Sequence, residues 1–593
     1  MRAQANNNQL AVRAIAGTYV VLLAYDLLTE AARSNFLGFA IYRADLTAGK
    51  GKWLQGYRVF EQTVPQPELG KLYSSQQHPV QDFLWGDYAA HPGNRYRYRV
   101  VPLYGTPAQL EEGAAVDIDV ETERVDTGTH AIYFNRGAAG SQAYASRFGD
   151  KSPDDVPDNA AYTWLSRGLE EAMLAFIAQA NGPEYALRAS VYEFSYEPVM
   201  KAFKAAIDAG ADVEIIYDNR ATDAEGIALR DAVRAAVKAH GLEANVKPRT
   251  TNPNSISHNK FIVLARKEPG KQLGQDAPKP EHDKPEPEHD TLKPEQVWTG
   301  STNFSKGGIF GHSNVGHVVR DAATAQAYLD YWQRLWSDPE VKPLCKQNET
   351  ATPLPAAALA SGISCLFSPR FNRSGKAVPP PNDALDWYID RIATAKSSVF
   401  FTSAFGINER IQKQLRIPVS LLRYVLMESY GNKAAAQKLE LLRQDKTLRF
   451  AAGAILNDRS ALHNWLQKER LTELNEHVKF IHTKYLLIDP LSESPLVATG
   501  SANFSDASVG KNDENMLLIY GDKRVADIYL GEFMRLFQHY QFRELARRVR
   551  SNKPQEQRAA FLDATGAWLT PWFTKDTPKY RQRQLFAYAP NPA

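Results

Sequence analysis

The 593-residue chain predicts an α/β protein: two similar α/β sandwich halves that pair as a pseudo-dimer, preceded by an all-β sandwich domain. Three observations point there. Short strands separated by turn residues fill residues 1–127. A series of strands alternating with amphipathic helices follows and is then repeated, and one short polar motif stands near the end of each repeat.

The first region contains Tyr19 to Tyr25, Gly38 to Arg43 and the period-two run Tyr96 to Val101, with turn residues such as Pro92-Gly93-Asn94 between them. Its Asp87-Tyr88, Pro92-Gly93 and Tyr96-x-Tyr98-x-Val100 resemble the later strands of fibronectin type III domains, which implies a β-sandwich open to protein partners. From residue 128 to 348 the pattern predicts a helix over Leu165 to Ala180, a strand over Tyr185 to Phe194, a helix over Glu197 to Ala209 and a buried strand at Val213 to Tyr217. The stretch Glu268 to Gln296, with its Lys-Pro-Glu-His-Asp repeat, predicts a mobile loop. His282-Asp283 and His289-Asp290 within it are read as solvated linker rather than a metal tract. Residues 349–363, rich in Ala, Pro and Thr, predict a linker. The second series occupies 364–550: a helix from Ala384 through Ala395, a strand at Ser398 to Ser403, a helix near Asn408 and a strand at Arg423 to Glu428. Residues 551–593 form an aromatic and basic tail that either docks on the body or reaches a polyanion.

Composition narrows the class. The chain is 44% hydrophobic and 23% charged with a formal net charge of +3, which excludes wholesale disorder and general polyelectrolyte attraction. Two cysteines, Cys345 and Cys365, exclude a disulfide framework and fit a reducing cytoplasm. The first apolar run is too late and too short for a signal peptide or membrane span, so no integral membrane association is expected.

The chemistry is carried by Ser257-His258-Asn259-Lys260 with Gly300-Ser301-Thr302-Asn303-Phe304, and again by Ile481-His482-Thr483-Lys484 with Gly500-Ser501-Ala502-Asn503-Phe504. Residues two apart on a strand share a face, so His258 converges with Lys260 and His482 with Lys484. Each glycine permits close backbone approach. Ser301, Asn303, Ser501 and Asn503 are then candidate donors to phosphate oxygens. Two imidazoles, two ammonium groups and four small donors suit a phosphodiester.

The duplicated H-x-K-x4-D with a downstream G-S-x-N is similar to the signature of the phospholipase D superfamily, over roughly Gly128 to Arg550. The resemblance implies two halves with their motifs face to face, one histidine attacking phosphorus to give a phosphohistidine, the other protonating the leaving oxygen, and no metal or other cofactor. The second motif is complete with Asp489, read either as a supporting residue or as a turn residue before Pro490. The first has Ala265 at that place, as the tyrosyl-DNA phosphodiesterase branch also lacks this Asp. Eleven residues beyond Asn503 stands Glu514, and eleven beyond Asn303 stands Asn314. Carried over, Glu514 bonds His258 and raises its basicity, while Asn314 orients His482. His258 is therefore expected as nucleophile and His482 as general acid, with Lys260 and Lys484 offsetting phosphoryl charge.

The expected substrate is nucleic acid, with phospholipid as the alternative and a catalytically silent binding module as the second alternative. Trp164, Trp298 and Trp387 are equally readable as core or as base-stacking platforms. His312, His317, His463 and His477 have no place in the motif and are left outside the site.

Overall fold

The computed structural model describes residues 1–593 apart from 69–70, 138–140, 221–223, 269–290, 356–360, 373–382, 405, 429–447, 454–480, 550–557 and 589–593. The Lys-Pro-Glu-His-Asp repeat, His463, His477 and the middle of the expected linker lie outside the described residues.

Two antiparallel sheets make the N-terminal domain. One runs Arg2–Asn6, Leu10–Ala16, Val21–Leu27, Leu84–Asp87, and the other is built on Arg95–Thr106 and Phe36–Asp45. Alternation along Arg95–Thr106 sends Tyr96, Tyr98 and Val100 inward onto Leu23, Tyr25 and Phe39, while Arg95, Arg97 and Arg99 face solvent. The sandwich sits on the second half through Arg2, whose guanidinium bonds Asp527, and through Tyr88, whose hydroxyl donates to the Met534 carbonyl at 3.2 Å.

The body that follows is a duplication that extends to strand order. The first half orders its sheet Asp126–Thr127, His130–Phe134, Val315–Val319, Thr291–Gly300, Lys260–Glu268, Tyr185–Val191, Asp212–Asp218, Val246–Arg249. The second orders Gly362–Ser368, Glu514–Tyr520, Leu496–Gly500, Tyr485–Ile488, Ser398–Ser403, Leu422–Glu428, Arg449–Gly453. Omitting the two-residue edge strand, each position has its counterpart. The strands that carry or follow the motifs sit in the middle of their sheets, which is why their runs are apolar on both faces. The helices Ala322–Trp336 and Lys523–Val549 join one core between the sheets, where Phe261, Tyr328 and Tyr331 meet Phe367, Tyr485 and Phe533. The outer faces carry Leu169–Ile177 and Glu197–Asp208 on one half, and Ala384–Ala393 and Glu409–Leu415 on the other.

Several expectations are corrected. The helix expected over Leu165 to Ala180 breaks into Ala160–Ser166 and Leu169–Ile177, because Arg167 (φ 55°) and Gly168 (φ 89°) turn left-handed. That turn delivers the Arg167 guanidinium to the buried Glu532 carboxylate of the second half. The strand expected to Phe194 stops at Val191. Residues 291–296 of the expected loop are strand, and the pairing of Lys260–Glu268 with Thr291–Gly300 extends to Glu268 opposite Thr291. The linker is shorter than 349–363, since helix Val341–Ala351 runs into it and strand Gly362–Ser368 begins inside it. Residues 558–588 dock: Trp572 packs in the sandwich core, Phe586 enters the core between the halves, and Arg583 pairs with buried Asp26.

Trp298 is fully buried and Trp387 donates its indole N–H to the Pro355 carbonyl at 3.0 Å, so both are core residues. Trp164 stacks under the Arg136 guanidinium beside Tyr144 and Phe148. Cys345 and Cys365 are free thiols in the interior. Among the described residues no helix is long and apolar enough to cross a membrane.

Candidate active site

The two motifs meet where the halves cross. His258 lies just before strand Lys260–Glu268, and His482 just before Tyr485–Ile488. The segment entering each histidine pairs in parallel with the other half: Ser257 bridges Asp513, and Ser313 bridges Ile481. The imidazole ring centres are 6.5 Å apart, with the planes nearly perpendicular.

Each ring is held by the opposite half. His258 Nδ1 lies 2.8 Å from Glu514 Oε2. An ionised carboxylate only accepts, so Nδ1 carries the proton and Nε2 the lone pair. His482 Nδ1 lies 2.9 Å from Asn314 Oδ1. The amide orientation follows from its other bonds: Asn314 Nδ2 donates to the Gly308 carbonyl at 2.7 Å, and Oδ1 also accepts from Ser301 Oγ at 2.9 Å. His482 therefore also carries its Nδ1 proton.

Lys260 and Lys484 follow the same symmetry. Each ammonium donates at 2.7 Å to the carbonyl of its own motif histidine. All four side chains are buried. Burial pushes the Lys260 ammonium down to about 8 against the opposing charges of Glu514, Glu193 and Asp218. Lys484 falls well below the usual lysine range through burial and then the nearby Lys260 charge. Burial likewise takes His258 down to about 4, because desolvation of the charged form outweighs the attraction of Glu514. Glu514 does raise the basicity of His258, as expected, but by less than burial lowers it. His482 is also pushed well below the histidine range by burial and by Lys484.

The small donors behave differently from one another. Gly300 and Gly500 allow strands to cross closely: a Cβ at either would stand 2.2 Å from the Val315 or Asn515 carbonyl oxygen. Ser301 and Ser501 secure those crossings. Ser301 Oγ accepts from Val315 N at 3.1 Å, and Ser501 Oγ accepts from Asn515 N at 3.0 Å. Both hydroxyls thus tie crossing strands by accepting, and the Ser301 O–H is in addition donated to Asn314 Oδ1. Asn303 has both side-chain polar atoms buried without a partner among the described residues, and Asn503 has its Oδ1 so. These amides match the character expected of ligand-facing groups.

Asp489 does not support the site. At φ 48° it closes the far end of its strand, accepting from the Lys396, Ser397 and Ser398 amides at 2.7–2.9 Å. Its counterpart Ala265 lies buried opposite Ala186, so the missing carboxylate takes nothing from the imidazoles.

Sequence reasoning missed several neighbours. Tyr192 places its ring 4.9 Å from that of His258 and 5.0 Å from the Lys260 ammonium. His312, set aside at the outset, has its ring 5.8 Å from that of His482. Asn135 holds the loop between them, donating at 2.7 Å to the Ile309 and His312 carbonyls and accepting from Asn314 N at 2.8 Å. His317 instead faces His130 and Tyr529 in the core. Asp218 and Glu428 end equivalent strands beside the motifs; an acid closing the same apolar run in both repeats was the available signal. Among the described residues no group of three or more His, Cys, Asp and Glu side chains is arranged to hold a metal ion.

Residues 173–336 and 439–537 match the family model described as "Cardiolipin synthase, PLD-like domain". No curated protein matches the chain. Similar solved structures include polyphosphate kinase from Porphyromonas gingivalis, at 11% identity over 60% of this chain and 46% of the kinase, with a TM-score of 0.34. The chain thus spans under half of that protein's length. Phosphatidylserine synthase from Haemophilus influenzae is 11% identical over 63% of this chain and 85% of its own, with a TM-score of 0.39. Nuc from Salmonella typhimurium, a phospholipase D family member, is 23% identical over 29% of this chain and 88% of its own, with a TM-score of 0.20. One family model is thus matched on both sides of the duplicated sheet, and each half carries a match to a PLD-like domain.

Proposed function

We propose that the chain is a phosphodiesterase working through a phosphohistidine on His258. His258 Nε2 attacks phosphorus, and an N–P bond forms as the P–O bond to the leaving group breaks. His482 Nε2 gives that oxygen a proton. In the second step His482 takes a proton from water, the water oxygen bonds phosphorus, and the N–P bond breaks to return neutral His258. The observation that carries this reading is the unequal pairing of two facing imidazoles, His258 with a carboxylate and His482 with an amide. A carboxylate stabilises the positive phosphohistidine, whereas an amide leaves its partner free to lose a proton.

The depressed basicity of both rings fits the same cycle. Neutral His258 is the nucleophilic form at neutral pH. The substrate phosphate, seated against Lys260 and Lys484, offsets the like charges that disfavour a proton on His482. Asn303 and Asn503 are the proposed ligands of its oxygens.

The proposed substrate is a nucleic-acid phosphodiester, supported by the acid and amide asymmetry that resembles the DNA-processing branch of the superfamily. A second reading, phospholipid, is favoured by the matched family model, whose description names cardiolipin synthase. The test is hydrolysis of bis(p-nitrophenyl) phosphate in excess EDTA by wild type, His258→Asn and His482→Asn, with DNA, RNA and phospholipid vesicles as competing inhibitors. Turnover that survives EDTA and is lost in both variants is expected, with DNA the strongest competitor. Turnover indifferent to the histidines, or none, would overturn the mechanism in favour of a binding module, and competition by vesicles alone would select phospholipid.

A further inference from the structure

We propose that Asp218 and Glu428 are a duplicated pair of positioning residues, each holding the main chain at the entrance to one of the two catalytic histidines. The inference rests on the two-histidine reading above. Asp218 is the last residue of strand Asp212–Asp218 and Glu428 the last of Leu422–Glu428, and these strands occupy the same place in the two sheets. Asp218 Oδ1 accepts from the Ser257 amide at 2.7 Å, and Glu428 Oε2 accepts from the Ile481 amide at 2.8 Å. Ser257 and Ile481 immediately precede His258 and His482.

The reason for an acid at this place lies in the backbone. Successive N–H groups of an extended chain point to opposite sides. The histidine amides are given to the opposite half, His258 N to the Asp513 carbonyl at 3.0 Å and His482 N to the Ser313 carbonyl at 3.1 Å. The preceding amides therefore turn toward their own half, where burial demands an acceptor and the strand-end carboxylates supply one. Each entering segment is thus gripped from both halves. Asp513 precedes Glu514 and Ser313 precedes Asn314, so a slip of either segment also disturbs the bond from its histidine to the partner across the interface. The acid differs in length between the halves while the bond is kept, which points to the bond as the conserved element of the duplication.

Leaving-group dependence separates this role from a merely structural one. Asp218→Ala acts on the nucleophile and is expected to slow p-nitrophenyl and alkyl phosphodiesters alike, by about 100-fold in kcat with KM little changed. Glu428→Ala acts on the general acid. In the first step, read as kcat/KM, it is expected to slow alkyl leaving groups by about 100-fold and p-nitrophenolate, which needs no proton, far less. Asp218→Asn and Glu428→Gln keep an acceptor oxygen and are expected to recover most of each loss, which answers the objection that the alanine variants misfold. Wild-type turnover dependent on both histidines, together with alanine variants that are fully active or a Glu428→Ala variant that slows both substrates equally, would overturn the clamp alone. Turnover independent of the histidines would overturn the reading beneath it.

Discussion

His258 Nδ1 lies 2.8 Å from Glu514 Oε2 although 256 residues separate them, and the carboxylate comes from the opposite half of the body. The reciprocal contact, His482 to Asn314, spans 168 residues. Neither half completes its own histidine, so the site exists only when both sheets are docked.

Replacing Glu514 with Gln keeps the shape but lets an amide N–H face the ring, which favours the wrong tautomer. Turnover is expected to fall by at least about 100-fold, read as a lost burst of phosphoenzyme in single-turnover kinetics. Asn314→Asp should instead raise the basicity of His482 and move the alkaline limb of the kcat profile upward. An Asn314→Asp variant with an unmoved profile would contradict the assignment of His482 as the acid.

The depressed basicity of His258 has a stability consequence whose sign is fixed. An unfolded histidine binds its proton near 6.5, whereas folded His258 does so only near about 4. Above about 6.5 neither state is protonated and the contribution is fully present. As pH falls from there toward 4 the unfolded chain binds more protons, and stability is progressively lost. His482 and His317, lowered in the same direction, add to the trend. Thermal melts across this window should therefore slope less steeply for His258→Asn than for wild type; identical slopes would show that His258 is not a buried neutral imidazole.

Glu532 is fully buried between two guanidiniums, pairing with Arg167 of the first half and with Arg535 at 2.7 Å. Glu532→Gln leaves two buried cations short of a counter-charge and is expected to cost about 3–5 kcal/mol. Urea denaturation would measure it, and a change below about 1 kcal/mol would mean that solvent relieves the pair.

Adding the missing motif carboxylate at Ala265 should harm rather than help. Ala265 is buried against Ala186 in the sheet centre, so Ala265→Asp sinks an unpaired acid and is expected to destabilise by on the order of 3–5 kcal/mol with no gain in kcat. Asp489→Ala should lower the melting temperature by loosening the tie to Lys396–Ser398 while kcat/KM of the folded fraction stays near wild type.

Much of this protein was legible before folding. The strand Ser398–Ser403 and the helix capped by Asn408 stand where their periodicity and capping residues put them, because local burial pattern and backbone preference agree there. The repeated His, Lys, Gly, Ser and Asn named the motif and its duplication, since spacing along a strand dictates which side chains share a face.

Only the tertiary structure decided the rest. Arg167 leaves the helical region to reach Glu532 in the other half, a partner that no local window contains. Ser301 and Ser501 spend their hydroxyls on crossing strands, whose approach is set by the fold rather than by the motif. Asp218 and Glu428 acquire meaning from backbone amides 39 and 53 residues downstream. The net fall of His258 was likewise hidden: the sequence by itself determined which charges stand near the imidazole, but the depth of burial that outweighs them comes from packing two halves together.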